Sequence, residues 1–211
     1  LFSDRYRFRL PYFQRAYSWT IEQVTRLLAD LIEAGRKPQE RRRYFLGCLL
    51  LARPQGDSLV AVIDGHQRVV TVSILFAVLR DLAEAGPERQ RLAALLTADQ
   101  PGLPDNARAL RLVPHAGLAP FLEHYVQADG ATRIEFDGDE AELSETEANV
   151  IANRDYLRRA LTGAENAAEL RRDLARFLIE QCRVEVLEVE DELEAWSMLE
   201  VEEQTRLDFN A

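Results

Sequence analysis

An α+β fold, a small sheet with helices and a mainly helical extension, is what this sequence of 211 residues predicts. Three observations predict it. "RYRFRLP" near the start and "CRVEVLEVE" near the end alternate charged and apolar residues with period two, as strands do. "SWTIEQVTRLLADLIEAG" places Ile21, Val24, Leu27, Leu28, Leu31 and Ile32 on a 3.6-residue stripe. From Pro87 the texture changes to Ala/Leu/Arg/Glu-rich helical pieces.

Taken in order, the first strand ends at Pro11, and the first helix opens on a capping box of Thr20 with Gln23 and stops at Gly35. "YFLGCLLLA" and "LVAVI" are apolar runs joined by "RPQGDS", whose Pro, Gly, Asp and Ser are turn residues, so they form a β-hairpin. Val69 to Leu82 continue as a helix apolar on most sides, hence buried. Helices follow over 88–97, 117–127, 144–161 and 166–181, with a short strand "ALRLV", the loop "DGATRIEFDGDEAELS", and the strand 182–190 before an acidic helix "DELEAWSMLEVEEQ". The expected organisation is an α/β core over 1–85 and a mainly helical part over 86–211, with 182–190 returning to the sheet of the core.

Composition narrows the function classes. The longest apolar run is far short of the roughly 20 residues that cross a bilayer, and the start lacks a signal-peptide core, so a cytoplasmic protein with no membrane association is expected. Cys48 and Cys182 match no metal-ligand spacing and read as buried free thiols. The chain does not begin with Met and stops within a helix-like stretch, as a fragment would. A net charge of −10 opposes a whole-surface grip on nucleic acid. Residues 1–50 nevertheless hold ten Lys/Arg against five Asp/Glu, which is compatible with a local anion site.

The chemistry concentrates in "VIDGHQRVVT", residues 62–71. A strand entering a glycine turn that opens a helix aims backbone N–H groups at an anion, and the helix dipole adds about half a positive charge. Gly65 lets the backbone approach a phosphate, and Arg68 can bind it bidentately. Asp64 suits an N-cap or a Mg²⁺ ligand. His66 and Gln67 can donate to phosphate oxygens or orient a water. A second cluster, "LPYFQRAYSWT" at 10–20, gathers Gln14, Arg15 and Tyr17, where the aromatics could equally wedge a loop onto the core. His115 and His124 read as surface or packing residues.

"PYFQRAYSW", "YFLGCLLL" and "IDGHQRVVT", in this order and spacing, resemble the N-terminal domain of the GmrSD-type modification-dependent restriction proteins, within the ParB/sulfiredoxin-like superfamily. Weaker similarity continues through "ALRLVPHAGLAPFLEHY", "ANRDYLRRAL" and "VEVLEVEDELEAWSMLE". His66 stands where the family usually has Gln, and Val69-Val70 where it has Leu-Thr. The family's F-E-x-x-N-x-R-G-like block is not matched in "LEVEEQTRLDFNA".

The resemblance implies a ParB-like mixed sheet and a domain that binds, and in some members hydrolyses, a nucleoside triphosphate with Mg²⁺. It implies coupling to DNA cutting by an HNH-type nuclease module, C-terminal or in a partner, for phage defence; no H-N-H pattern occurs in this sequence. On that reading Asp64, His66 and Gln67 are the catalytic candidates, Asp64 also the metal ligand, and Gln14, Arg15, Tyr17, Gly65 and Arg68 bind the nucleotide. The rivals are a nucleotide-sensing domain without turnover and a direct DNA-binding or nuclease module. Sulfiredoxin-like reductase chemistry needs a Cys just after the glycine, where this chain has His66.

Overall fold

The structure, a computed structural model, describes residues 2, 6–11, 16–37, 43–53, 59–98 and 108–199. The strands are β1 (Phe8–Arg9), β2 (Tyr44–Ala52), β3 (Val60–Asp64), β4 (Thr97–Ala98), β5 (Ala109–Leu110), β6 (Leu112–Val113) and β7 (Cys182–Val189). The helices are α1 (Ile21–Arg36), α2 (His66–Leu82), α3 (Pro87–Leu96), α4 (Ala119–Leu122), which runs on into a π-helical turn Glu123–Gln127, α5 (Glu145–Thr162) and α6 (Ala167–Glu180). A last helix covers 192–199.

Five strands form a mixed sheet in the order β6-β1-β3-β2-β7, and β4 pairs with β5 separately. The fold is α+β. β1 runs parallel to β3 and β6, while β2 is antiparallel to β3, as the hairpin requires, and parallel to β7. Strands from both sides of residue 85 thus share one sheet, and side chains from both sides share one hydrophobic cluster.

α2 lies in the middle of that cluster, with every residue from Val69 to Asp81 buried. Its valines cost at most about 0.7 kcal/mol each in helix propensity. Burying each side chain contributes about 1.5–3 kcal/mol, so packing decides the conformation. The two buried hydroxyls are satisfied within the helix, Thr71 Oγ1 donating to Gln67 O at 2.8 Å and Ser73 Oγ to Val69 O at 2.8 Å.

α1 opens on the expected capping box of Thr20 and Gln23. Its stop differs from expectation: the helix continues through Gly35 to Arg36, with Lys37 as C-cap. Gly35 serves close packing instead, because a Cβ there would stand 3.4 Å from the ring of Phe177 on α6. The other face of the sheet carries Leu50, Ala52, Ala61 and Ile63, covered by Ala195, Trp196 and Leu199 of the last helix. Ion pairs Arg9–Glu192 and Arg53–Glu188 (2.6 Å) fasten this end of the chain. Neither cysteine is in a disulfide, but Cys48 is exposed rather than buried, standing beside Glu185 just past the bulge between Phe45 and Cys48. The half-buried Cys182 thiol is pushed up to about 12 by desolvation.

The C-terminal end of α2 is tied down by charge. The fully buried Asp81 accepts from Arg80 Nε (2.7 Å) and Nη2 (3.1 Å), from the N–H groups of Gly130 and Thr132 (both 3.0 Å) and from Thr132 Oγ1 (2.8 Å). Arg80 in turn donates to the carbonyls of Val126, Gln127 and Ala128, which close the π-helical turn. Burial alone would raise the pKa of Asp81, but the hydrogen bonds and charge of Arg80 and the bonds from Thr132 outweigh it, so the net shift is downward.

A carboxylate depressed in the folded state contributes stability above its ordinary value, here 3.8, and loses it as pH falls through the folded value. Urea unfolding should therefore show this contribution intact at pH 5–7 and eroding below pH 3.8. Asp81→Asn should remove that acid-side slope and cost about 3–5 kcal/mol at pH 7, since it takes from the buried Arg80 its close counter-charge and leaves only the exposed Asp129 at 3.6 Å.

Candidate functional site

The parallel strands β1, β3 and β6 end on one side of the sheet, so Pro11, Gly65-His66 and Pro114-His115 are brought together there. The crevice beyond the carboxyl ends of parallel strands is where α/β sheets bind ligands. Pro11, Ala16, Tyr17, His66, His115 and Thr146 help line a small cavity of about 50 Å³ at this place.

Gly65 makes the turn from β3 into α2 with φ 85° and ψ 10°, a left-handed conformation. A Cβ there would fall 2.2 Å from Leu49 Cδ2 and 3.0 Å from the Cys48 carbonyl, so only glycine fits. Gly65, not Asp64, is the N-cap, and no side chain caps the helix. The capping role open to Asp64 is therefore not used: the residue ends β3 exposed, its carboxylate without a hydrogen-bond or ion-pair partner among the described residues. The Gly65 carbonyl accepts from the N–H groups of Arg68 (3.0 Å) and Val69 (3.2 Å). The N–H of Gln67 has no acceptor among the described residues.

Arg68 is half-buried one turn into the helix, with no hydrogen bond or ion pair among the described residues. Its guanidinium lies against Gly47 of β2, where φ is +96° and a Cβ would stand 2.9 Å from Cζ. The bulge in β2 and the absence of a side chain at 47 thus make room for this cation. The Tyr44 phenol lies near it: burial raises the Tyr44 pKa most, Asp30 and Cys182 add to it, and the Arg68 charge opposes it.

Gln67 has all four hydrogen-bonding capacities of its amide occupied. Oε1 accepts from the N–H groups of Ser18 (3.0 Å) and Trp19 (3.2 Å), while Nε2 lies 2.9 Å from the Ala16 carbonyl and 2.8 Å from His66 Nε2. The side chain therefore pins the segment 16–19 to the start of α2 and has no capacity left to orient a water.

Tyr17 belongs to the same anchorage. Its ring is 4% exposed, and its hydroxyl meets Thr71 Oγ1 at 2.8 Å and accepts from Asn153 Nδ2 at 2.9 Å. Burial pushes its pKa up to about 12, although the bonds to Thr71 and Asn153 pull the other way. Tyr17 thus commits its hydroxyl to the core, the packing alternative that aromatics in this segment allow, while the residue still helps line the cavity. Gln14 and Arg15 lie outside the described residues.

α5 contributes residues that sequence reasoning missed. Thr146 Oγ1 accepts from the Tyr17 N–H (3.1 Å), Asn149 Nδ2 donates to the Tyr17 carbonyl (3.3 Å), and Asn153 Nδ2 also donates to the Trp19 carbonyl (2.6 Å). Their spacing of three and four is a polar stripe on one helix face beside the buried Val150 and Leu157, and this was the available signal. His115, read from sequence as a surface or packing residue, is exposed but stands at the mouth of the site through the pairing of β6 with β1. His124 is on the surface against Tyr125.

The chain belongs to the GmrSD restriction endonuclease N-terminal domain family, whose model matches residues 1–205. It is a restriction or defence protein domain. No curated protein matches the chain. Among the described residues no helix is long and apolar enough to cross a membrane.

Gly47→Ala should both strain the bulge and displace Arg68. We expect a loss of about 1–3 kcal/mol in chemical unfolding, together with a shift of the Arg68 guanidinium resonances in NMR. An alanine variant of unchanged stability and unchanged Arg68 signals would contradict the contact.

Proposed function

We propose that this domain binds a nucleoside triphosphate at the start of α2 and hydrolyses it, as part of a modification-dependent defence protein that cuts DNA through an HNH-type nuclease module or partner. The observation that carries the reading is the half-buried Arg68 beside an uncapped helix N-terminus, a cation and an open N–H with no protein acceptor among the described residues. An anion satisfies both at once. Arg68 and the backbone of Gly65 and Gln67 would hold phosphate oxygens, and the segment 16–19 would form the side wall, with Gln14 and Arg15 in the same stretch of chain.

The described residues hold no group of three or more His, Cys, Asp or Glu able to cage a metal ion. Mg²⁺ commonly uses one or two carboxylates together with phosphate oxygens, and the free carboxylate of Asp64 fits that demand. When bound there, Mg²⁺ would neutralise phosphate charge. Hydrolysis of a triphosphate needs a positioned water and charge stabilisation rather than a covalent group. Asp64 would hold the water or the ion, His66 lines the small cavity at the ends of the parallel strands, and Gln67 would act by fixing the wall.

A second reading, a nucleotide sensor without turnover, is favoured by one specific observation: the amide of Gln67 is saturated and cannot itself activate water. Thermal shifts with ATP, GTP, CTP and UTP, with and without Mg²⁺, test binding, since a ligand of the native state must raise apparent stability. Arg68→Ala should lose about ten- to a hundred-fold in affinity, the consequence of removing a charge-assisted contact worth about 1.5–3 kcal/mol. Arg91→Ala, on the exposed side of α3, should change little. Equal losses would point to a diffuse basic surface, as the DNA-binding rival expects. Asp64→Asn should abolish any benefit of Mg²⁺; binding with no turnover in the native chain selects the sensor.

A further inference from the structure

We propose that His66 is a positioning residue: it acts as a hydrogen-bond acceptor, in the Nδ1–H tautomer, that locks the Gln67 amide and so fixes the Ala16–Trp19 wall against α2. The orientation of the amide is not free. Its Oε1 receives two backbone N–H donors, Ser18 and Trp19, and its Nε2 faces the Ala16 carbonyl, which can only accept. Turning the amide over would set two donors against two donors and a carbonyl against an oxygen. Three backbone contacts therefore fix which end is nitrogen.

A primary amide has two hydrogens on that nitrogen. One goes to Ala16 at 2.9 Å, and the other is directed at His66 Nε2, 2.8 Å away. That ring nitrogen must present its lone pair, so the proton of the neutral ring sits on Nδ1. This is the reverse of the tautomer that a free histidine side chain favours in water. Rotating the ring by half a turn would put a C–H where the acceptor is needed and forfeit the bond.

The consequence is a chain of dependence in which His66 holds Gln67, and Gln67 holds the backbone of 16–19 from one side while Thr146, Asn149 and Asn153 hold it from the other. What position 66 requires is an acceptor of the right reach. Glutamine supplies one through its Oε1, alanine does not. The lock itself stands independently of any ligand; its effect on affinity rests on the nucleotide reading.

The test uses the full chain without ligand, labelled with ¹⁵N in histidine at pH 8, with His66→Gln identifying the His66 signals among the three histidines. We expect a protonated Nδ1 and an unprotonated Nε2 at His66; the opposite tautomer, or a doubly protonated ring, overturns the proposal. Amide hydrogen exchange supplies the second readout. In His66→Ala, exchange at Ser18 and Trp19 should quicken by about three- to ten-fold, in line with the loss of one supporting hydrogen bond, while His66→Gln should match the native chain. Equal behaviour of the two variants overturns the lock, and the tautomer measurement stands on the native protein should His66→Ala not fold. Nucleotide affinity measured beside these separates the two claims: the expected tautomer and exchange with no binding discards the nucleotide reading and keeps the lock.

Discussion

α2 is enclosed from Val69 to Asp81, and the rest of the structure is arranged around that constraint. A helix with no solvent face can place polar chemistry only at its ends. The sheet closes one side through Leu49, Leu51, Val60 and Val62, while α3, α5 and α6 close the others with residues such as Leu92, Val150 and Leu174. Both halves of the chain are needed for this enclosure, which is why β6 and β7 return to the edges of a sheet begun by β1, β2 and β3.

The two ends of α2 are treated in opposite ways. At the C-terminal end a buried carboxylate receives five hydrogen bonds and its arginine neighbour caps a π-helical turn, so the charged groups of this helix end are consumed by structure. At the N-terminal end Asp64, the Gln67 N–H and Arg68 lack partners among the described residues, although the surrounding backbone is held rigidly by Gly65, Gly47 and the Gln67 amide. A preorganised group of polar atoms without protein partners leaves room for a ligand, whereas one consumed by the fold is a joint. That contrast supports placing function at residues 64–68.

Local signals made much of this legible in the sequence. The capping box of α1, the β2–β3 hairpin, the glycine turn at 65 and the apolar helix after it all depend on residues close in the chain, and the structure has each of them. What was not legible depends on distant partners. Gly35 reads as a helix stop until Phe177 is seen against it, and Gly47 reads as an ordinary strand residue until Arg68 is seen over it. Tyr17 and Gln67 carry the chemistry of ligand contacts, yet Asn153, Thr71 and the backbone of 16–19 consume it. His115 reaches the site only because a two-residue strand pairs with β1.

Amide chemical-shift mapping of the ¹⁵N-labelled chain during titration with Mg²⁺ and a nucleoside triphosphate tests the central claim most directly, because it reports where an anion sits without assuming that it is hydrolysed. The account predicts the largest shifts at Gly65 to Arg68 and at Gly47, with Arg80 and Asp81 unmoved at the other end of the same helix. Shifts centred on the exposed arginines Arg91, Arg172 and Arg176 of α3 and α6, with 65–68 unchanged, would contradict it.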